Sequence, residues 1–333
     1  MKKEMICFGV RDYEVPFFNE LGAKYGYNLK LEAPFLTNDN FELALNNEIV
    51  MVRGNCFLNA DSITKLHSSG LKYLLTRTVG YNHIDIEACK KLGIEVAYVP
   101  GYSPNAIAEL GLSLAMMLLR NTAYTVNLTR QNDFRVTSQM FSREIRNCTV
   151  GVIGCGKIGL TSATLYKGLG AKVIANDIYQ SEEAKKVVTF VGLEELIKTS
   201  DIITLHMPHI KGVNDHLINS ELIAQMKDNA ILINTARGEL VDLDAVVTAL
   251  ENNKLYGAGI DVIENEKEVF FQKFDGKIGN DLFDRASALF PKLLFTPHVG
   301  ASTDEALTNM IEISLQNMEE YINTNTCKNS LTK

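Results

Sequence analysis

Short apolar runs alternate with amphipathic stretches along nearly the whole chain, and this alternation limits the possible folds more than any other feature. MICFGV, EIVMVRG, LKYLLTRT and IEVAYVP each read as a buried strand, and the stretches between them, such as Pro16 to Tyr25, carry helical periodicity. A second series begins at Cys148 with CTVGVIG, AKVIAND, DIITLHM, AILINTA, YGAGIDV and LLFTPHV. Strands that alternate with helices build parallel sheets covered on both faces. Between the two series, SPNAIAELGLSLAMMLLR offers Ser103 as an N-cap and Pro104 at the first helical position, which predicts a long, largely buried helix. The segment from Ser302 is helical and follows the last strand, so it is expected to return to the first sheet. The expectation is an α/β chain of two doubly wound parallel-sheet domains: a discontinuous one, residues 1–101 plus 300–333, and a second, residues 102–299. A length of 333 residues agrees with two domains.

Charge and cysteine usage narrow the class further. Forty acidic residues against 33 basic ones leave a formal charge of −7, which gives no footing for a nucleic-acid partner. The six cysteines, at 7, 56, 89, 148, 155 and 327, form no C-x-x-C pair, so neither a metal site nor a dithiol redox motif is indicated. Reduced thiols in a cytoplasmic protein are expected. The start meets Arg11 and Asp12 too early for a secretory signal, and the apolar stretch Leu110 to Leu119 is about half the length that spans a bilayer. No membrane role is expected.

The second series opens on VIGCGKIG, in which Gly154, Gly156 and Gly159 form G-x-G-x-x-G. Such triplets also occur in ordinary turns. Here a β-type run precedes the motif, a helical run from Ile158 to Leu169 follows it, and the next strand ends in Asp177, 18 residues beyond Gly159. That is the context of a dinucleotide site: the glycines let backbone approach a pyrophosphate, and the helix N-terminus supplies N–H groups and positive dipole. A carboxylate at Asp177 accepts from both adenine-ribose hydroxyls and repels a 2′-phosphate, so NAD is expected over NADP.

Three later strand ends carry polar groups in apolar settings. INTARG places Arg237, GIDVIENE places Asp261 and Glu266, and LLFTPHVG places His298. Taken singly, Arg237 reads as well as a surface arginine, Glu266 as part of a solvated charge run, and His298 as a satisfied histidine. Together, at strand ends that face the ligand crevice of an open sheet, they suggest a catalytic set.

With these residues in hand, the sequence resembles the NAD-dependent D-2-hydroxy acid dehydrogenase family. VGYNHID, VPGYSPNAIAE, NCTVGVIGCGKIG, LHMP, NTARGELVD, GIDVIENE and TPHVGAS appear in family order over nearly the whole chain. The resemblance implies a flavodoxin-like substrate domain, a Rossmann NAD-binding domain and an active site in the cleft between them. It assigns catalysis to Arg237, Glu266 and His298. Arg237 would hold the substrate carboxylate through a bidentate fork, His298 would act as general acid, and Glu266 would orient and favour the imidazolium. It further implies substrate contacts from the N–H groups of Val79 and Gly80 and from Tyr102. Cofactor contacts are implied from Lys157, Ile158, Met207, Pro208, Asn214, Thr235, Ala236 and Asp261. Dimerisation through the nucleotide domain is implied as well. The Arg–Glu and Glu–His spacings, 29 and 32 residues, fit the branch containing D-lactate and D-2-hydroxyisocaproate dehydrogenases and fit phosphoglycerate dehydrogenases less well.

Two positions depart from the lactate-type pattern. Ala301 stands where an aromatic residue would narrow the pocket, and Arg53 ends a strand of the first domain. RGNCF and FSREIRNCTVGV resemble the (R)-2-hydroxyglutarate dehydrogenases. An arginine at the pocket mouth requires an anion, and the distal carboxylate of 2-oxoglutarate is one. A structural ion pair for Arg53 is the alternative. The expected reaction is NADH-dependent reduction of 2-oxoglutarate to (R)-2-hydroxyglutarate, with D-lactate or D-2-hydroxyisocaproate activity as alternatives. An NAD-sensing corepressor is a remote alternative, since such relatives carry terminal tails that are not evident here.

Overall fold

The computed structural model describes residues 3–333 and divides into two compact units, residues 1–103 with 302–333, and residues 104–301. Each crossing falls two residues later than expected from sequence. Pro104 opens the helix Pro104–Leu119, which packs on the strands of the second unit, so the chain joins that unit at the proline. Tyr102 therefore falls in the first unit, and Gly300 and Ala301 in the second.

The first unit holds a five-stranded parallel sheet of β1 (Lys3–Phe8), β2 (Tyr27–Glu32), β3 (Ile49–Val52), β4 (Tyr73–Thr76) and β5 (Glu95–Ala97), in the order β2-β1-β3-β4-β5. Successive side chains of a strand point to opposite faces. Met5, Cys7 and Met51 accordingly enter one core, while Ile6, Phe8, Val50 and Val52 enter the other. The helix Asp304–Thr324 covers the first face. Its Leu307, Ile311, Leu315, Met318 and Tyr321 recur at helical spacing and are buried there. β2 has no counterpart among the strands expected from sequence. YNLKLE alternates, with Asn28 exposed, and forms one edge of the sheet.

The second unit holds seven parallel strands: β6 (Thr149–Ile153), β7 (Lys172–Asn176), β8 (Thr189–Phe190), β9 (Ile202–Leu205), β10 (Ala230–Asn234), β11 (Leu255–Ile260) and β12 (Leu293–Phe295). Their order is β12-β11-β10-β9-β6-β7-β8. One core covers each face. In the first unit the order reverses between β1 and β3, and in the second between β6 and β9. Ligands of open α/β sheets bind outside the strand carboxyl ends at such reversals. Among the described residues no helix is long and apolar enough to cross a membrane.

Candidate active site

The glycine motif stands at the reversal of the second unit. Gly154 lies at φ +87°, and a Cβ there would come within 2.6 Å of Met207 N and 2.8 Å of His206 C. The turn after β6 can therefore touch the turn after β9 only if this residue is glycine. A Cβ on Gly159 would lie 1.9 Å from Gly154 O, so the third glycine seats the helix on the turn. A Cβ on Gly156 would meet nothing within 4 Å. That open space sits at the N-cap of the helix Lys157–Gly168, where free N–H groups and helix dipole suit a pyrophosphate. Lys157 and Ile158 begin that helix.

Asp177 follows β7. Its Oδ2 accepts from Cys155 N at 2.5 Å and its Oδ1 from Tyr179 N at 2.8 Å, which fixes the carboxylate beside the glycine turn. Beneath the turn, the buried His206 ring accepts or donates at Nε2 to Thr204 Oγ1 (3.0 Å), while its Nδ1 has no partner among the described residues. Burial pushes His206 down to about 4, so it is neutral at working pH. In the sequence this histidine stands inside LHMP with no signal that marks it as functional. The open cradle, the fixed carboxylate and the orphaned ring nitrogen fit a bound dinucleotide.

Other expected cofactor residues have structural uses. Asn214 Oδ1 accepts from Ile210 N (2.6 Å) and its Nδ2 donates to Pro208 O (2.9 Å), so this amide shapes the loop that carries Met207 and Pro208. Thr235 is buried with its hydroxyl unpartnered among the described residues, 3.5 Å from where a Cβ on Gly111 would stand. Ala236 N donates to Asn234 Oδ1 (3.0 Å), which sets the turn leading into Arg237. Both Asp261 oxygens are occupied: Oδ1 accepts from Thr296 Oγ1 (2.5 Å) and Val299 N (2.9 Å), and Oδ2 from Gly300 N (3.0 Å). Burial raises this carboxyl against those donors. Asp261 thus organises the loop carrying His298, whose backbone sits in the left-handed region at φ +53°. Such a conformation persists where its surroundings over-determine it.

Arg237, Glu266 and His298 line one cavity of about 370 Å³ together with Gly238, Glu239, Val262 and Ile263. His298 Nδ1 donates to both Glu266 oxygens at 2.9 Å, which leaves Nε2 as the nitrogen able to serve a substrate. Arg237 is exposed, and its Nη1 donates to Ala236 O at 2.7 Å. Gly238 lets the loop after β10 reach the loop after β11, since a Cβ there would lie 2.0 Å from Ile263 C.

In the first unit, Arg53 and Arg77 each follow a strand end. The register Val52↔Thr76 sets them side by side on neighbouring strands. Arg77, 1% exposed, donates through Nη1 and Nη2 to both oxygens of the buried Glu14 (3.1 and 3.2 Å) and through Nη2 to Gly9 O (2.9 Å). Burial alone would raise the Glu14 carboxyl, but Arg77 and the Arg11 N–H outweigh it and hold it below the usual range. Arg53 reaches Glu14 only at 3.6 Å and donates to Gly9 O at 3.4 Å. Burial first, then Arg77 and Arg11, push Arg53 down to about 10. Sequence reasoning missed Arg77 and Glu14. The visible signal was that VMVR and LLTR end alike. Val79 and Gly80 lie in the exposed turn after β4, which is shaped by Thr78 Oγ1 donating to Gly80 O (2.7 Å). Tyr102 is half-buried, and its carbonyl accepts from Asn309 Nδ2 (2.6 Å). Ala301, half-buried, closes the second unit.

Residues 112–300 match the NAD-binding domain of the D-isomer specific 2-hydroxyacid dehydrogenases. The chain is 38% identical over 328 residues to an aromatic 2-oxoacid reductase of Clostridium sporogenes, with 98% of each chain covered. It is 36% identical to a D-lactate dehydrogenase of Lactiplantibacillus plantarum, covering 96% of this chain and 97% of that one. Among solved structures it superposes on a D-2-hydroxyisocaproate dehydrogenase with a TM-score of 0.90 at 34% identity, covering 99% of this chain and all of that one. The glycine cradle with its fixed carboxylate, the two parallel sheets and these matches agree: the chain belongs to the D-isomer specific 2-hydroxyacid dehydrogenase family and is an NAD-dependent oxidoreductase that reduces 2-oxo acids to D-2-hydroxy acids.

Proposed function

We propose that the substrate is 2-oxoglutarate and the product (R)-2-hydroxyglutarate. The observation that carries this reading is the charge surplus at Arg53. Two guanidinium groups stand side by side at the β1/β3 reversal and one carboxylate, Glu14, is present. Arg77 engages both oxygens of that carboxylate. Arg53 is half-buried, and a partly desolvated cation without full pairing favours an anionic partner. A second substrate carboxylate supplies it, and Ala301 leaves volume for a five-carbon acid.

In this reading Arg237 and the N–H groups of Val79 and Gly80 hold the carboxylate beside the ketone, and Tyr102 lines the pocket. The nicotinamide, when bound, supplies the hydride. Gly154, Gly156, Gly159, Lys157 and Ile158 cradle its pyrophosphate, Asp177 holds the adenine ribose, and Met207, Pro208, Thr235 and Ala236 line the rest. His298 Nε2 delivers a proton to the ketone oxygen as charge develops there. Glu266, on Nδ1, stabilises the imidazolium and fixes its plane. The enzyme is proposed to act in the cytoplasm, in keeping with six buried free thiols, and as a homodimer. Phe134, Val136 and Phe141 of the second unit are exposed apolar side chains that a second copy would cover.

The relatives' names favour a second reading, a D-lactate, D-2-hydroxyisocaproate or aromatic 2-oxo acid reductase in which the 3.6 Å approach to Glu14 makes Arg53 a structural ion pair. Steady-state kinetics of Arg53→Leu separates the two. Losing one partner of a desolvated charge pair costs about 2–5 kcal/mol. The variant should therefore lose more than about thirtyfold in kcat/KM for 2-oxoglutarate while 2-oxobutyrate and 2-oxoisocaproate are unaffected or improved. A uniform loss across all three acids would favour the second reading.

A further inference from the structure

The loops that follow β9, β10 and β11 are tied at one point beside the cavity, through Gly238 and Glu239 of its wall and through His216 and Glu264 next to it. His216 N donates to Glu239 O (2.8 Å), and Ile218 forms a bridge with Val241, so the end of the first loop is sewn to the second. The second presses on the third at Gly238, where a Cβ would lie 2.3 Å from Glu264 N. The ring of His216 then closes the triangle: Nε2 donates to Glu264 Oε2 at 2.7 Å. His216 holds the left-handed conformation, φ +46°, which aims its ring this way. Two residues beyond Glu264, after Asn265 at φ +55°, Glu266 opens the short 3-10 helix Glu266–Glu268 and holds His298. A shift of Glu264 is therefore passed to Glu266 along two residues of backbone.

We propose that His216 and Glu264 are a positioning pair, in which an imidazolium–carboxylate contact sets the loop that carries Glu266 and so aims His298. The inference rests on the catalytic roles proposed for Glu266 and His298. The charges facing the His216 ring come from all three loops. Glu264 dominates, Asp242 after β10 adds to it, and Asp215 on its own loop adds less, being itself bonded to His209 Nε2 (2.6 Å) and Gly212 N (2.5 Å). The Glu264 bond and these charges raise His216 against the modest opposition of burial, so the charged contact persists to higher pH than a free imidazole would allow. Above that range the ring is neutral and the contact is an ordinary hydrogen bond.

Both side chains are about half exposed. An exposed pair changes rates by at most a few-fold, and the expected effect is about threefold. Steady-state kinetics with NADH and both 2-oxoglutarate and 2-oxobutyrate tests it. His216→Gln and Glu264→Gln should each lower kcat about threefold at pH 6 with KM for NADH unchanged, and the double variant should lose no more than either alone. His216→Lys carries the same left-handed backbone strain as His216→Gln but keeps a cation at all pH. It should restore kcat at pH 6 and extend the alkaline limb of the kcat profile. A purely packing role predicts the reverse, rescue by Gln and loss with Lys, and that pattern or wild-type kcat in His216→Gln overturns the proposal. Glu266→Gln is measured beside them. Full activity there removes the catalytic reading itself, whereas impaired Glu266→Gln with unaffected His216→Gln removes only the positioning pair.

Discussion

Each sheet reverses its strand order once, and the residues at the two reversals balance their charges in opposite ways. At the β6/β9 reversal and along the neighbouring strand ends, the carboxylates and His298 have donors or counter-charges of their own, and the exposed Arg237 donates to Ala236 O. Asp177 has two backbone N–H groups, Asp261 has three donors, and His298 has both oxygens of Glu266. At the β1/β3 reversal two arginines share one glutamate, and a third, Arg11, donates only to the Tyr13 hydroxyl (2.5 Å) among its side-chain bonds described here. A balanced end is pre-organised for chemistry that must be the same for every 2-oxo acid. An unbalanced end is suited to choosing among them. On the proposed reading, reaction type and substrate choice are carried by different sheets.

The largest expected effect probes the balanced end. His298→Ala removes the proposed proton donor, so kcat should fall by about 10²–10⁴-fold. NADH binding, followed by fluorescence titration, should stay nearly unchanged. A comparable loss of NADH affinity would mean that the histidine supports the cofactor instead.

The next probes the unbalanced end through stability. Glu14 is buried beneath Arg77, and Glu14→Gln leaves two guanidinium groups without a counter-charge. Removing one partner of a buried pair costs about 3–5 kcal/mol, which should appear as a lowered denaturation midpoint. The sign with pH follows from the direction of the shift. The Glu14 carboxyl is held below its ordinary range in the folded protein. Its contribution is therefore complete above about pH 5 and is lost as pH falls through the folded-state value. Thermal melts of the wild type should show this acid limb, and Glu14→Gln should flatten it. An equally steep limb in the variant would assign acid instability to other carboxylates.

The two ends also differed in how far sequence could reveal them. The glycine turn was legible because close backbone contact demands glycine at fixed spacing. Arg237, Glu266 and His298 were legible because each interrupts or follows an apolar strand. The Arg77–Glu14 pair was not, because its members stand 63 residues apart and meet only through the neighbour order β1-β3-β4. The donors to Asp261 lie 35 to 39 residues beyond it, which hid its service to the His298 loop. Among strands, runs of Val, Ile and Leu were readable in both sheets. β2 was not, since an edge strand with alternate polar residues resembles a loop, and β8 spans only two residues.

The smallest expected effect returns to the balanced end and asks whether a carboxylate fixed by its neighbours also discriminates. Asp177 is gripped by Cys155 N and Tyr179 N, one bond to each oxygen. It therefore does not swing aside readily to admit a 2′-phosphate, and each oxygen keeps lone-pair capacity that, on the proposed reading, accepts from the ribose hydroxyls. A phosphate in their place loses those bonds and meets a like charge. NADH should exceed NADPH by at least about tenfold in kcat/KM, on the order of 1.4 kcal/mol. Asp177→Ala should narrow the ratio, chiefly by lowering the NADH value. Comparable rates with both cofactors in the wild type would remove Asp177 from this role. A wide ratio that survives Asp177→Ala would shift the selection to other residues around the ribose and leave Asp177 as a brace for the glycine turn.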